Sequence, residues 1–177
     1  MIRDFFPYEY KKSVFDIEYE KLFELGYRAL LFDLDNTLVH HGDPANPEIV
    51  DFFAKLRAIG LKTIIISDND CERTETFAKC VGCQCICEAG KPDVKPFLSA
   101  LEILGVKNSE SIVIGDQIFK DILGANRSGI LSVMVKYIKV PGEKWPGFRR
   151  IAEYLILSVY RLTKYNHRLE NLKDERE

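Results

Sequence analysis

The chain has 177 residues, 46% of them hydrophobic and 29% charged, and a formal net charge of -2. This length suits one domain with a sizeable core, and the near-neutral charge excludes bulk nucleic-acid binding, so no nucleic-acid partner is expected. The N-terminal stretch MIRDFFPYEYKK lacks the apolar segment of a signal peptide, and no run approaches the ~18 apolar residues of a membrane span. In chain order, a helix is predicted over about 13–26, ending at Gly26. The apolar run 28–33 (RALLFD) follows as a strand. Asn46-Pro47 opens a helix that Gly60 closes, before a strand over 62–66 (KTIII). Asp70 caps a helix to Gly82, then 84–87 (QCIC) is extended; Asp93 caps a helix to Gly105, then 111–115 (SIVIG) is extended. Another helix ends at Gly129 before 131–135 (LSVMV), and a basic amphipathic helix is predicted over about 147–169.

Alternating helices and nearly continuous apolar strands mean an α/β fold, a Rossmann-like three-layer α/β/α core with a five-stranded parallel sheet covered on both faces. The core spans about 27–140, and the whole of 1–177 is read as one domain. In such sheets ligands bind beyond the carboxyl ends of the strands. Asp33 closes the first strand, Ser67-Asp68-Asn69 follows the second, Gly90-Lys91-Pro92 the third, and Gly115-Asp116 the fourth. Four polar clusters thus converge on one rim.

Asp33, Asp35, Asp116 and Asp121 crowd that rim beside Lys91 and Ser67. Carboxylates so placed repel one another unless a cation neutralises them, and hard oxygen ligands with room for water suit Mg²⁺. Lys91 and the Ser67 hydroxyl are natural holders for an anionic oxygen. A divalent cation, an anion clamp and a free carboxylate point to phosphoryl transfer through an acyl phosphate.

The series DxDxT (33–37), Ser67, Lys91-Pro92 and GDxxxxD (115–121) resembles the motifs of the haloacid dehalogenase (HAD) superfamily. The stretches KSVFDIEYEKLFELGYRALLFDLDNTLV and IVIGDQIFKDILGANRSG resemble the YqeG-type branch of capless HAD phosphatases, a likeness covering about 10–140. The resemblance implies Asp33 as the nucleophile and metal ligand. It implies Asp35 as general acid and then base, with its backbone carbonyl on the metal. Asp116 is implied as the direct metal ligand, Asp121 as a supporting carboxylate and Thr37 as a turn-stabilising hydroxyl. Ser67, Asp68, Asn69 and Lys91 would hold the phosphoryl group. An Asp at position 35 fits expulsion of a poor alkoxide leaving group, hence a phosphomonoester phosphatase. Lys95 is a second lysine near the third strand; the Lys-Pro context favours Lys91. Lys120 and Gly124-Ala125 depart from the branch's usual Thr and Gly-Gly.

Only 31 residues (36–66) separate the first two motifs and 23 (68–90) the next pair, each filled by core elements, so no cap domain fits. The flap VHHGDPANP is the local cover, with His40, His41 and Asp43 as substrate contacts or as solvated loop; oligomerisation is another source of a lid. An open rim suits a substrate whose bulk stays outside. Phosphatidylglycerophosphate is the favoured reading, a phosphoprotein or soluble phosphometabolite the alternative, and a non-catalytic binding protein on the same frame a third.

Residues 136–177 carry ten Lys/Arg and six Asp/Glu, a net of +4. Phe148, Ile151, Ala152, Leu155, Val159 and Leu162 form one helical stripe, with Arg150, Arg161, Lys164 and Arg168 on the other side. The plainer reading packs the stripe against the sheet or the N-terminal helix and leaves the arginines solvated. The alternative lays the helix on an anionic membrane, at its cytoplasmic face. The five cysteines are expected to be reduced thiols in a cytoplasmic protein. Cys80, Cys83, Cys85 and Cys87 have the look of a zinc cluster, but alternation along a strand makes the last three small buried hydrophobes.

Overall fold

A computed structural model describes residues 2–139, 147–163, 165, 167 and 169. Its strands and helices follow in chain order as β1 (Glu9–Lys11), α1 (Tyr19–Glu24), β2 (Ala29–Phe32), α2 (Pro47–Ile59), β3 (Lys62–Ile66) and α3 (Cys71–Val81). Then come β4 (Gln84–Ile86), α4 (Val94–Leu104), β5 (Ser111–Gly115), α5 (Leu123–Arg127), β6 (Leu131–Val135) and α6 (Gly147–Arg161). The sheet runs in the order β1-β6-β5-β2-β3-β4, all pairs parallel. β2 lies inside it, with Leu31 opposite both Ile64 and Val113. All four β2 residues are fully buried, which is why that strand reads as an unbroken apolar run.

Helices cover both faces. On one, α1, α2 and α3 pack over Phe32, Ile65 and Ile114; on the other, α4 and α5 cover Leu31, Ile64 and Val113. α2 shows how the sequence does this. Asn46 accepts a hydrogen bond from the Ile49 amide at 2.9 Å, Pro47 sits in the first turn, and Gly60 ends the helix at φ +98°. Ile49, Phe52, Phe53 and Leu56 all face inward, each burial contributing about 1.5–3 kcal/mol.

The structure corrects four expectations. The sheet has six strands rather than five: β1 joins the edge of β6, and its EYK sequence has no apolar run to betray it. The helix predicted over 13–26 is a 3-10 turn at Val14–Asp16 followed, after extended Ile17, by α1. Burial of Val14 and Ile17 under Tyr19, whose hydroxyl donates to the Val14 carbonyl at 2.7 Å, overrides helical continuity there. Not all cysteines are free thiols. Cys71, in the first turn of α3, is disulfide-bonded to Cys87 just past β4, with Cα atoms 5.0 Å apart. The parallel topology brings those two points together across 16 residues of sequence, and it takes Cys87 out of the Cys80–Cys87 series. Cys80, Cys83 and Cys85 are free; burial pushes the Cys83 thiol up to about 12, which disfavours its thiolate.

The fourth correction concerns the C-terminal helix. Its buried residues are Glu153, Leu157 and Tyr160, whereas Phe148 is 84% exposed, Leu155 66% and Leu162 90%, with Ile151 and Val159 exposed beside them. The stripe expected to face the core therefore faces outward. Polar contacts from Arg150 and Glu153 to the β5 end, described below, choose the docked side, and Leu157 and Tyr160 follow it into a cluster with Phe6, Ile118, Ile122 and Met134. Lys164 and Arg168 lie outside the described residues.

Candidate active site

The carboxyl ends of β2, β3 and β5 fall on one edge, so Asp33, Ser67 and Asp116 line a shared rim. The Asp33 amide donates to the Ile114 carbonyl at 2.9 Å, continuing the ladder one residue past β2. The chain then turns sharply: Asn36 takes a left-handed φ of 65° and its amide donates to the Val39 carbonyl at 2.6 Å. That turn carries Asp35 and Thr37 back over the strand end.

Lys91 is the hub. It is 7% exposed, and its Nζ lies 2.6 Å from Asp33 Oδ1 and 2.6 Å from Asp121 Oδ1. Lys95 is exposed, and Lys91 is the lysine held among the rim carboxylates. Burial works against the Lys91 ammonium, but Asp121 and Asp33 more than offset it and raise its pKa. The Thr37 hydroxyl donates to Asp33 Oδ2 at 2.9 Å and reaches Asp116 Oδ1 at 3.3 Å.

Asp33, Asp116 and Asp121 bring carboxylate oxygens within 4.8 Å of one another, all buried. Burial lifts the Asp33 carboxyl to about 6, with Lys91 opposing and Asp121 adding to the rise. Burial and the neighbouring Asp33 lift Asp116 to about 8 against the pull of Arg150. Lys91 and Arg150, the latter shared with Glu153, do not neutralise three buried carboxylates, and the hard oxygen donor set fits a divalent cation.

Gly115 explains why the GD motif begins with glycine. A Cβ there would stand 2.4 Å from Asp121 Cγ, so only a glycine lets that carboxylate fold back against the strand end. Asp121 Oδ2 then accepts from the Gln117 amide at 3.0 Å, fixing the π-helical turn Ile118–Ile122.

Asp35 sits apart from this cluster. Arg73 Nη2 donates to its Oδ1 at 2.5 Å, while Asn69 Nδ2 and His41 Nδ1 lie 2.9 and 2.5 Å from its Oδ2. Burial raises the Asp35 pKa, but the Arg73 and Asn69 hydrogen bonds and the Arg73 charge outweigh it and leave the carboxyl below its usual value. Arg73 also donates to the Asp43 carbonyl at 3.2 Å, tying the flap to α3. Ser67 is buried and accepts from the Asn69 amide at 3.2 Å. Asp68 accepts from the Lys91 amide at 2.9 Å and from Lys120 Nζ at 2.6 Å, and those bonds overcome burial to lower its pKa.

All nine residues predicted for the site therefore gather on one rim. Three further side chains reach the rim. Arg73, three residues beyond the Asp70 cap, has only its place in the first turn of a rim helix as a signal in the sequence. Lys120, in the sequence only a departure from the usual Thr, pairs with Asp68. Arg150, expected on a solvated face, donates to Asp116.

A parallel α/β sheet with a buried lysine and carboxylate cluster at its carboxyl edge makes this rim a centre suited to a cation and an anionic group. The chain belongs to the haloacid dehalogenase-like hydrolases: the family model matches residues 39–129. It is 35% identical over 161 residues to "Probable phosphatase YqeG" of Bacillus subtilis (strain 168), covering 90% of this chain and 94% of that one. A "Glyceraldehyde 3-phosphate phosphatase" of Pyrococcus furiosus is 35% identical over 85 residues, 48% of this chain and 35% of that protein. The fold is shared with a HAD family hydrolase from Deinococcus radiodurans solved with bound phosphate and sodium, at TM-score 0.53 and 16% identity, covering 74% of this chain and 88% of that one. The enzyme class is thus a phosphatase-type hydrolase.

Proposed function

We propose that this protein is a Mg²⁺-dependent phosphomonoester phosphatase that works through an aspartyl-phosphate on Asp33. The observation that carries the reading is the Asp33 carboxylate, buried at the rim and gripped by Lys91 at 2.6 Å beside two further carboxylates. Asp33, Asp116 and the backbone carbonyl of Asp35 would hold the cation, with Asp121 in support; when bound, it neutralises charge developing on the phosphoryl oxygens.

In the first step Asp33 Oδ attacks phosphorus, forming one P–O bond as the bond to the leaving oxygen breaks. Lys91 balances negative charge on the transferring group, and Ser67, Asp68 and Asn69 line its seat. The leaving oxygen takes its proton from the acid form of Asp35. Asp35 then accepts a proton from the water that attacks the phosphoenzyme, regenerating the Asp33 carboxylate and releasing phosphate. Asp33→Asn is expected to abolish both phosphate release and a hydroxylamine-labile label in acid-quenched protein. Turnover by that variant on a broad phosphomonoester panel would overturn the reading.

The favoured substrate is phosphatidylglycerophosphate, met at an anionic membrane on the cytoplasmic side. Two features support it. No inserted cap covers the rim, and α6 turns an apolar stripe outward beside it, flanked by exposed Arg149 and Arg161. Among the described residues no helix is long and apolar enough to cross a membrane. Co-sedimentation with anionic vesicles, lost on replacing Leu155 and Val159 by Asp, and preference for this lipid in mixed micelles are the expected results. A second reading, a soluble phosphometabolite, draws on a cavity of about 400 Å³ between the flap and α3, lined by Pro44, Ala45, Arg73, Thr76 and Phe77. Preference for a soluble member of the panel would favour that reading.

A further inference from the structure

The two oxygens of Asp116 have different partners. Oδ1 faces the Thr37 hydroxyl at 3.3 Å, and that hydroxyl also holds Asp33 Oδ2. Oδ2 accepts from Arg150 Nη2, while Arg150 Nη1 donates to the Asp116 carbonyl at 2.7 Å. One guanidinium thus spans the side chain and the main chain of a single residue and fixes how its carboxylate is turned.

Arg150 is itself held from two further sides. Nη1 lies 2.9 Å from Glu153 Oε2, and the guanidinium lies over the Tyr137 ring, 4.6 Å from its centroid. Glu153 is 2% exposed, and its Oε1 accepts from the Ile118 amide at 2.9 Å. α6 therefore clamps the segment from Asp116 to Ile118 through a closed circuit of charge-assisted bonds.

We propose that Arg150 is a positioning residue of the cation site, holding Asp116 so that Oδ1 is presented toward Asp33, with its charge offsetting repulsion among the carboxylates. The proposal rests on the reading of Asp33 and Asp116 as cation ligands. An arginine that competed with the cation would bridge Asp33 and Asp116; Arg150 instead grips the other oxygen and the carbonyl of Asp116. Arg fits this task better than Lys because its planar fork reaches two acceptors at fixed spacing. It also makes α6 part of the site.

The test is calorimetric titration of Mg²⁺ into the full chain without substrate, at a temperature where each variant is shown folded by circular dichroism. Arg150→Met is expected to weaken Mg²⁺ binding about 10–100-fold. Arg150→Lys should recover part of that loss, and Glu153→Gln, which leaves Arg150 in place but slackens it, should lose less. A merely structural arginine would lower the melting temperature and leave the affinity of the folded protein unchanged. Unchanged or tighter binding by Arg150→Met overturns the proposal; if that variant does not fold, the same results from Arg150→Lys and Glu153→Gln overturn it. Asp116→Asn separates the premises: if it binds Mg²⁺ as the wild type does, the cation-site reading fails, and this proposal with it.

Discussion

Lys91 and Asp33 form a buried ion pair, Nζ to Oδ1 at 2.6 Å, with both side chains under 10% exposed. The pair bears on folding, because Lys91 is also the partner of Asp121 at 2.6 Å. Lys91→Met removes the one ammonium among three carboxylates. Leaving a buried charge unpaired costs about 3–5 kcal/mol, although here the carboxyls relieve part of it by taking up protons. The variant is expected to lose phosphatase activity and to melt well below the wild type in metal-free buffer at neutral pH. Calorimetry of the two proteins checks this, and a melting temperature equal to the wild type's would show that Lys91 does not hold the cluster.

The same cluster sets a pH dependence. Asp33 and Asp116, lifted to about 6 and about 8, bind protons in the folded protein that they have already lost in the unfolded chain. Where the folded state binds more protons, stability falls as pH rises. Their contribution is complete below the usual carboxylate range and is lost as pH climbs through about 6 and then about 8. Metal-free protein should therefore melt at progressively lower temperature from about pH 5 to pH 8. Added Mg²⁺ should oppose that fall most strongly at the upper end, where both ligands are ionised. A melting temperature that rises over this range without metal would contradict the assignment.

Gly115→Ala tests the backfolded Asp121. The added methyl would meet Asp121 Cγ, Cβ and Oδ2 at 2.4–2.6 Å, so the carboxylate or the strand end has to move. Overpacking of this kind costs about 1–3 kcal/mol. For a chain of this length each kcal/mol lowers the melting temperature by about 2–4 °C. Activity should fall further than stability predicts, since Asp121 is the second carboxylate on Lys91. Full activity in the alanine variant would show that Asp121 can leave Lys91 at no cost to the reaction.

How legible the site was depends on how local its signals are. Asp33, Ser67, Lys91 and Asp116 sit at strand ends, and the parallel sheet alone brings strand ends together; periodicity and glycine caps were enough to find them. Arg73 and Arg150 act across 38 and 34 residues of sequence on Asp35 and Asp116, through side-chain reach that no periodicity encodes. β1 was hidden because an edge strand of three residues needs no apolar alternation. α6 was misread because it has two faces that can be buried. The apolar stripe has the stronger pattern, yet the Arg150–Glu153 side docks, because there the polar groups at the end of β5 find their partners.

Asp35 and Arg73 supply the sharpest test of the reaction. In the free protein the Arg73 and Asn69 hydrogen bonds and the Arg73 charge hold the Asp35 carboxyl below its usual value, so its acid form has to be favoured by the negative phosphoryl group as substrate binds. General acid–base catalysis contributes about 10²–10⁴-fold, and the acid half of it matters only when the leaving oxygen is strongly basic. Asp35→Asn should therefore cut turnover of alkyl phosphates by about that factor while sparing formation of the phosphoenzyme from an aryl phosphate with a good leaving group. Arg73→Ala removes one charge-assisted bond from a pair whose side chains are 21% and 12% exposed, costing about 1.5–3 kcal/mol. It should raise the Asp35 pKa toward its ordinary value and shift the alkaline limb of alkyl phosphate turnover upward, the acid form persisting to higher pH. Steady-state rates across pH and the rates of phosphoenzyme formation and dephosphorylation for both substrate types, in wild type and both variants, decide the matter. Equal losses in the rate of phosphoenzyme formation from alkyl and aryl phosphates in Asp35→Asn would remove the acid role from Asp35, and an unchanged dephosphorylation rate would remove its role as base.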